Sequence, residues 1–182
     1  LIAHLGKGGM ADVYLGVVEG PAGFTRLTVI KRLREGISES PDFIAMFVDE
    51  ARIASRLNHP NVVQTTEVGE TDGHYYLAME YVDGRNLQDV VKEDGPLDYE
   101  LAANYVRQAA EGLAHAHQSN LIHRDVKPAN LLVNSRGQVK VLDLGLARFL
   151  NEEQCSLTRQ YDENVLGTAD YLAPEQALDS HN

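Results

Sequence analysis

One continuous segment, His123-Arg124-Asp125-Val126-Lys127-Pro128-Ala129-Asn130, carries the strongest signal in this sequence. Asp125 can accept a hydrogen bond from a hydroxyl group and orient it for attack. Lys127 can neutralise charge on a phosphoryl group that is being transferred. Asn130 offers a neutral oxygen to a hard cation such as Mg²⁺. These residue types, so closely spaced, point to phosphoryl-transfer chemistry.

The sequence between Asn130 and Asp143 predicts two short strands around an Asn-Ser-Arg-Gly turn. If Val133 faces Gln138 across that turn, Asn130 lies near Val141. Asp143 then emerges at the same open end of the hairpin, beside Asn130. A turn-capping Asn and a loop Asp can arise separately, but their joint placement around one hairpin favours a shared cation site.

Near the amino terminus, Gly6-Lys7-Gly8-Gly9 lies between two strand-like runs. Glycines let the backbone approach phosphate oxygens closely and donate N–H groups to them. An ordinary hairpin turn explains the same residues equally well when this segment is considered alone.

Lys31 ends a run rich in β-branched residues, and Glu50 lies within an otherwise apolar helical stripe. An ionised carboxylate in such a stripe is costly without a cation. A Lys31–Glu50 pair would hold the ammonium toward phosphate oxygens. The alternatives are an exposed strand lysine and a glutamate that extends from a ragged stripe into solvent.

The order of elements predicts an α+β fold with two lobes, residues 1–83 and 84–182. The first half favours strands, at 1–5, 11–18, 27–33, 62–68 and 74–82. A helix with Ser40 as N-cap and Pro41 in its first turn interrupts them. Further helices are expected at 85–93 and 98–119, and residues 143–175 are typical of a long functional loop.

Composition narrows the function classes. The chain has 182 residues, 27 acidic and 16 basic, which gives a formal net charge of −11. This acidic balance argues against nucleic-acid binding. No run approaches the ~20 apolar residues of a membrane span. The single cysteine, Cys155, fits a reducing compartment, so we expect a cytoplasmic location, with any membrane anchor of a parent protein outside this segment.

Taken in order along the chain, these motifs resemble the eukaryotic-like (Hanks-type) protein kinase family. The glycine-rich loop is followed by Lys31, Glu50, the His123 to Asn130 segment, Asp143-Leu144-Gly145 and Ala173-Pro174-Glu175. The resemblance implies a two-lobed kinase-like fold. It comprises a five-stranded antiparallel N-lobe sheet with one helix and a partial, mainly helical C-lobe.

The resemblance also implies a role for each matching residue. Asp125 would be the catalytic base, supported by Lys127, Lys31 and Glu50, while Asn130 and Asp143 would hold Mg²⁺, with Mn²⁺ as an alternative. Met79 occupies the gatekeeper position, and the backbones of Glu80 and Val82 would contact adenine. The implied ATP-binding surface consists of Leu5, Gly6, Gly8, Val13, Val29, Lys31, Met79, Glu80, Val82 and Leu132.

The implied activity is transfer of the γ-phosphate of ATP to serine or threonine hydroxyls of proteins. Lys127 follows Asp125 as it does in serine/threonine kinases, and the segment Gly167 to Gln176 is similar to bacterial members. A truncated, non-catalytic nucleotide-binding or scaffolding module is the alternative. Lys31, Asp125 and Asp143 favour the enzyme, because pseudokinases usually lose residues of these types.

Regulation is expected in the activation segment. Arg124 often pairs with a phosphate there in this family. The candidate acceptors are Ser156, Thr158 and Tyr161, whereas Thr168 is expected to contact Asp125. The alternative is that these are ordinary polar residues of a loop.

Family members continue with several helices after Ala173-Pro174-Glu175. We therefore expect a fragment of a longer protein, or a natural truncation, that need not fold or act alone.

Overall fold

The computed structural model describes residues 1–8, 11–34, 41–144 and 169–174. Within the helix Pro41–Ala54, it describes the side chains of residues 44, 45, 47, 48 and 51–54. Within these ranges no helix is long and apolar enough to cross a membrane.

An antiparallel sheet of five strands forms the first half of the chain, in the order β1-β2-β3-β5-β4. β3 is rich in β-branched residues and β5 in aromatic and apolar residues, which favour a pleated, half-buried strand. The strands are β1 (Ala3–Lys7), β2 (Ala11–Glu19), β3 (Thr25–Leu33), β4 (Thr65–Thr71) and β5 (His74–Glu80). The predicted five-stranded sheet is confirmed.

A single helix, α1 (Pro41–Ala54), packs against this sheet. Phe47 and Ala51 lie four residues apart, on one helical face, and each is only 1% exposed. They share a core cluster with Leu33 of β3 and Leu77 of β5. This packing explains why the helix interrupts the strands in sequence without interrupting the sheet.

The described residues of the second half include two helices and a small sheet of order β6-β7-β8. The helices are α2 (Leu87–Asp94) and α3 (Tyr99–Gln118), and the strands are β6 (Gly84–Asn86), β7 (Leu131–Asn134) and β8 (Val139–Val141). Alternate residues of β7 and β8 reach the core, where Val139 and Val141 are fully buried. The second core cluster therefore lies between α3 and this hairpin.

Several predicted bounds differ from the structure by two or three residues, and two of the differences have a clear cause. The helix predicted from Arg85 begins at Leu87, because Gly84–Asn86 pairs with β7 and the Asn86 side chain caps the helix. The strand predicted from Val62 begins at Thr65, because Val62 instead pairs with Val141 in a parallel bridge.

Candidate active site

The segment from His123 to Asn130 is held by its own hydrogen bonds. The Asn130 side-chain amide donates to the Asp125 carbonyl at 2.8 Å and to Asp125 Oδ2 at 3.0 Å. The Asn130 backbone N–H donates to the Lys127 carbonyl at 2.9 Å, which closes a short 3₁₀ turn. Because the amide nitrogen is used in this way, Asn130 keeps its amide oxygen as an acceptor.

Lys127 and Asp125 form an ion pair, with 2.9 Å between Lys127 Nζ and Asp125 Oδ2. Their side chains are 22% and 24% exposed, so both reach solvent. A carboxylate and an ammonium are thus presented together at an accessible surface.

The β7–β8 hairpin sets Asn130 beside the Asp143 segment. The Leu142 N–H donates to the Asn130 carbonyl at 2.9 Å, and Leu131 pairs with Val141. The predicted register was therefore wrong by one residue, since Val133 faces Val139 and Asn130 faces Leu142. Asp143 directly follows the residue bonded to Asn130, so the expected convergence at the open end is present.

Lys31 on β3 forms an ion pair with Asp143, with 2.7 Å between Nζ and Oδ1. Burial raises the pKa of the Asp143 carboxyl, but the Lys31 ammonium outweighs it, so that the pKa lies below its ordinary value. The carboxylate therefore stays ionised at neutral pH. The predicted Lys31–Glu50 pair lies outside the described residues, because they do not include the Glu50 side chain.

Two residues of this region adopt a left-handed backbone conformation. Arg124 has a φ of 63° and Asp143 a φ of 53°. Residues other than glycine pay about 1–3 kcal/mol for such strain, which persists only where the surroundings enforce it. Strain of this kind concentrates at functional sites, and here the strained Asp143 is the residue that pairs with Lys31.

His123 is buried and contacts the backbone of this segment. It is 1% exposed, and its Nδ1 accepts a hydrogen bond from the Asp125 N–H at 3.3 Å. Burial lowers the pKa of His123, so the ring is neutral at pH 7.

The strand register gathers part of the predicted nucleotide surface. Val13 faces Lys31 and Val29 faces Met79 in adjacent strand pairs. Val13, Val29 and Lys31 share one face of the sheet, since the side-chain period is two. The Gly8 N–H donates to the Ala11 carbonyl at 2.9 Å, at the end of the glycine-rich loop.

The remaining predicted nucleotide residues lie along the same strands or next to them. Leu5 and Gly6 belong to β1, with Leu5 51% exposed. Glu80 ends β5, and Val82 follows it. Leu132 lies on β7 opposite Lys140.

A small pocket lies between Met79 and the Asp143 segment. It is lined by Ala51 of α1, Thr65, Met79, Asp143 and Leu144, among others. Met79 thus pairs with Val29 of the predicted nucleotide surface and also lines a pocket with Asp143 and Leu144.

Of the predicted regulatory residues, Arg124 is half-buried, while Ser156, Thr158 and Thr168 lie outside the described residues. The sequence analysis missed Lys140, which reaches Glu80 across a separation of 60 residues. The one sequence signal that could have indicated Lys140 is its position between two valines of a strand; the structure shows both valines buried.

Comparison with known proteins identifies this arrangement. Residues 1–182 match the "Protein kinase domain" family. The chain is 42% identical over 179 residues to the serine/threonine-protein kinase PrkC of Bacillus subtilis, covering 97% of this chain and 26% of PrkC. It is 39% identical over 189 residues to the tyrosine-protein kinase MasK of Myxococcus xanthus, covering 97% of this chain and 29% of MasK.

Among solved structures, the PknI kinase domain of Mycobacterium tuberculosis superposes with a TM-score of 0.65 at 33% identity. The match covers 79% of this chain and 58% of that structure. The chain spans about a quarter of the length of the curated relatives named above. The chain belongs to the protein kinase domain family and is similar to its bacterial serine/threonine members.

Proposed function

We propose that this chain is the catalytic part of a protein serine/threonine kinase that transfers the γ-phosphate of ATP to protein hydroxyls. One observation carries the proposal. The hydrogen-bonded Asp125–Asn130 unit and the Lys31–Asp143 ion pair meet at one end of the β7–β8 hairpin. In this proposal, one region holds a hydroxyl acceptor, two ammonium groups and two oxygen ligands.

Each side chain then has a distinct task. Asp125 accepts the proton of the substrate hydroxyl and orients its oxygen, and Lys127, paired with it, neutralises charge on the transferred group. Lys31 binds the α and β phosphates. Glu50 holds Lys31 when nucleotide is bound. Val13, Val29 and Leu132 enclose adenine, and Met79 closes the back of that pocket.

The residues present suit a divalent cation. Asp143 is an ionised carboxylate, and Asn130 has an amide oxygen that its own hydrogen bonds leave available. A carboxylate and a neutral oxygen are ligands that Mg²⁺ accepts, and Mn²⁺ uses the same set. A cation held by Asn130 and Asp143 would supply positive charge to offset the negative charge of the phosphates.

The proposed domains follow the change from sheet to helices, with residues 1–83 as the ATP-binding lobe and 84–182 as part of the catalytic lobe. Arg124 is proposed to pair with a phosphate at Ser156 or Thr158, and Thr168 to contact Asp125. Because ATP is the donor, we place the domain in the cytoplasm. Alanine at both Ser156 and Thr158 with unchanged activity would remove the regulatory part.

The test is transfer of labelled γ-phosphate from ATP with Mg²⁺ to a generic basic protein. The unaltered protein is compared with its Asp143→Asn variant, and acid hydrolysis identifies the phosphorylated residue type. Transfer to serine or threonine that the variant loses supports the proposal. Label on tyrosine alone would overturn the proposed serine/threonine acceptor class. This outcome is tested because MasK, to which the chain is similar, is a tyrosine-protein kinase.

The alternative is a non-catalytic nucleotide-binding or scaffolding module. It predicts that ATP binds without transfer in the complete protein, while Lys31→Met still weakens nucleotide binding. The same preparation distinguishes the two functions when binding and transfer are measured side by side.

A further inference from the structure

A second ion pair lies where β5 ends. Lys140 Nζ of β8 is 2.6 Å from Glu80 Oε1, and the two side chains are 14% and 31% exposed. The residues are 60 positions apart in sequence, so tertiary packing alone brings them together. A partly buried ammonium loses hydration and needs such a partner.

Three further hydrogen bonds hold Glu80 and Lys140 in place. The Gln64 N–H donates to Glu80 Oε1 at 2.9 Å, and the Glu80 N–H donates to the Gln64 carbonyl at 3.0 Å. Lys140 Nζ also donates to the Val62 carbonyl at 3.3 Å. We call Glu80, Lys140, Gln64 and Val62 the Glu80 clamp.

The clamp is anchored to rigid structure. Lys140 lies between Val139 and Val141, both fully buried, and opposite Leu132 in the β7–β8 pair. The Val63 N–H donates to the Val141 carbonyl at 3.0 Å, so the segment entering β4 is fastened to β8 as well. The last residue of β5 is therefore fixed from two sides, by its backbone and by its carboxylate.

We infer that Lys140 is a positioning residue for the base of the bound nucleotide, acting through Glu80. This inference rests on the proposed function, in which the Glu80 and Val82 backbones meet the adenine edge. Hydrogen bonds to a base require that the main-chain groups lie within a few tenths of an ångström of their ideal positions. A Glu80 held by these contacts occupies its position before the ligand binds. The phosphate-binding groups Lys31 and Asp143 are not part of the clamp.

The inference predicts an effect that depends on which part of the nucleotide is bound. Without the Lys140 ammonium, the Glu80 carboxylate keeps only its bond from Gln64 and the end of β5 gains freedom. Affinity for the base then falls, whereas affinity for a phosphate chain does not. A purely structural role would weaken both.

The experiment measures binding of adenosine and of magnesium tripolyphosphate separately, by calorimetry, to the protein and its Lys140→Met variant. Lys140→Arg preserves the charge and is the rescue variant. Arg107→Met is the matched control, because Arg107 forms an exposed ion pair with Glu111 on α3. Glu80→Gln, which retains the acceptor for Gln64, provides a second variant should Lys140→Met fail to fold.

For Lys140→Met we expect adenosine to bind about tenfold more weakly, which corresponds to about 1.4 kcal/mol, while tripolyphosphate changes less than about twofold. Glu80→Gln should change in the same direction, and Lys140→Arg should restore most of the affinity. In transfer assays the KM for ATP should rise with little change in kcat. Loss of transfer in every protein, with the adenosine effect intact, would refute the kinase proposal and leave the clamp standing.

Three results of the binding experiment would overturn the inference. They are equal weakening of adenosine and tripolyphosphate, unchanged adenosine affinity in both Lys140→Met and Glu80→Gln, and no adenosine binding by the unaltered protein. A higher kcat in Lys140→Met would also overturn it, because the pair would then restrain the active arrangement instead of preparing it.

Discussion

The Lys31–Asp143 ion pair makes the most exacting prediction about the energetics of this site. At 2.7 Å and an effective dielectric constant of about 20, two unit charges attract each other by about 6 kcal/mol. Desolvation cancels most of this attraction, and hydrogen bonds between charged groups retain about 1.5–3 kcal/mol. Asp143 is 37% exposed, so solvent screening lowers the expected coupling to about 1–2 kcal/mol.

A double-mutant cycle with Lys31→Met and Asp143→Asn measures this coupling from urea unfolding at pH 7, followed by circular dichroism. The control is the corresponding cycle for the exposed pair Arg107–Glu111, with Arg107→Met and Glu111→Gln, where we expect about 0.3–0.5 kcal/mol. A Lys31–Asp143 coupling no larger than that of the control would refute the reasoning.

The coupling also has a defined pH dependence. Because the folded-state pKa of Asp143 lies below its ordinary value of 3.8, the stabilisation is present above that value. It is lost as the pH falls through the lowered pKa. Burial raises the Asp143 pKa, and Lys31 is the group that lowers it most. A carbon-13 NMR titration should therefore find the Asp143 pKa raised in Lys31→Met.

Three further predictions concern other positions. Asp125→Asn should lower kcat by about 10²–10⁴-fold in phosphate-transfer kinetics and leave ATP affinity within about threefold, because it removes a base rather than a nucleotide contact. Gly112→Ala should lower the free energy of unfolding by about 2 kcal/mol in urea titrations, because its Cβ would lie 2.6 Å from the Asn61 carbonyl oxygen. The control variant Ala110→Gly, on the exposed side of the helix, should lower the free energy of unfolding by only about 1 kcal/mol. His123 has a folded-state pKa below 6.5, so the unfolded state binds its proton more tightly and stability falls as the pH drops below that value. His123→Phe should reduce this fall, and an unchanged pH profile would contradict the assignment.

Much of the site could be predicted from local sequence. The spacing of Asn130, a short hairpin and Asp143 predicted that these two oxygen-bearing residues lie at one end of that hairpin, and a one-residue error in register did not alter this result. Hairpins connect neighbouring residues, so their ends meet whatever the rest of the chain does. The individual strands were predictable from local residue types and turn signals, whereas their assembly into one five-stranded antiparallel sheet was implied by the family resemblance.

The boundaries of β6 and β4 were not predictable in this way. Gly84–Asn86 forms a strand because β7 offers it an edge, and Val62 leaves the sheet because β8 binds it. Both outcomes depend on partners far away in sequence, which no local pattern contains.

By itself, the sequence determined which chemical groups this protein possesses and the order in which they occur, since residue type and short-range spacing set those properties. Only the tertiary structure decided which charges pair. Lys31 meets Asp143 across 112 residues and Lys140 meets Glu80 across 60. A partly buried ion must find its counterion within a few ångströms, and the packing of sheet, hairpin and helix alone determines which one lies within reach.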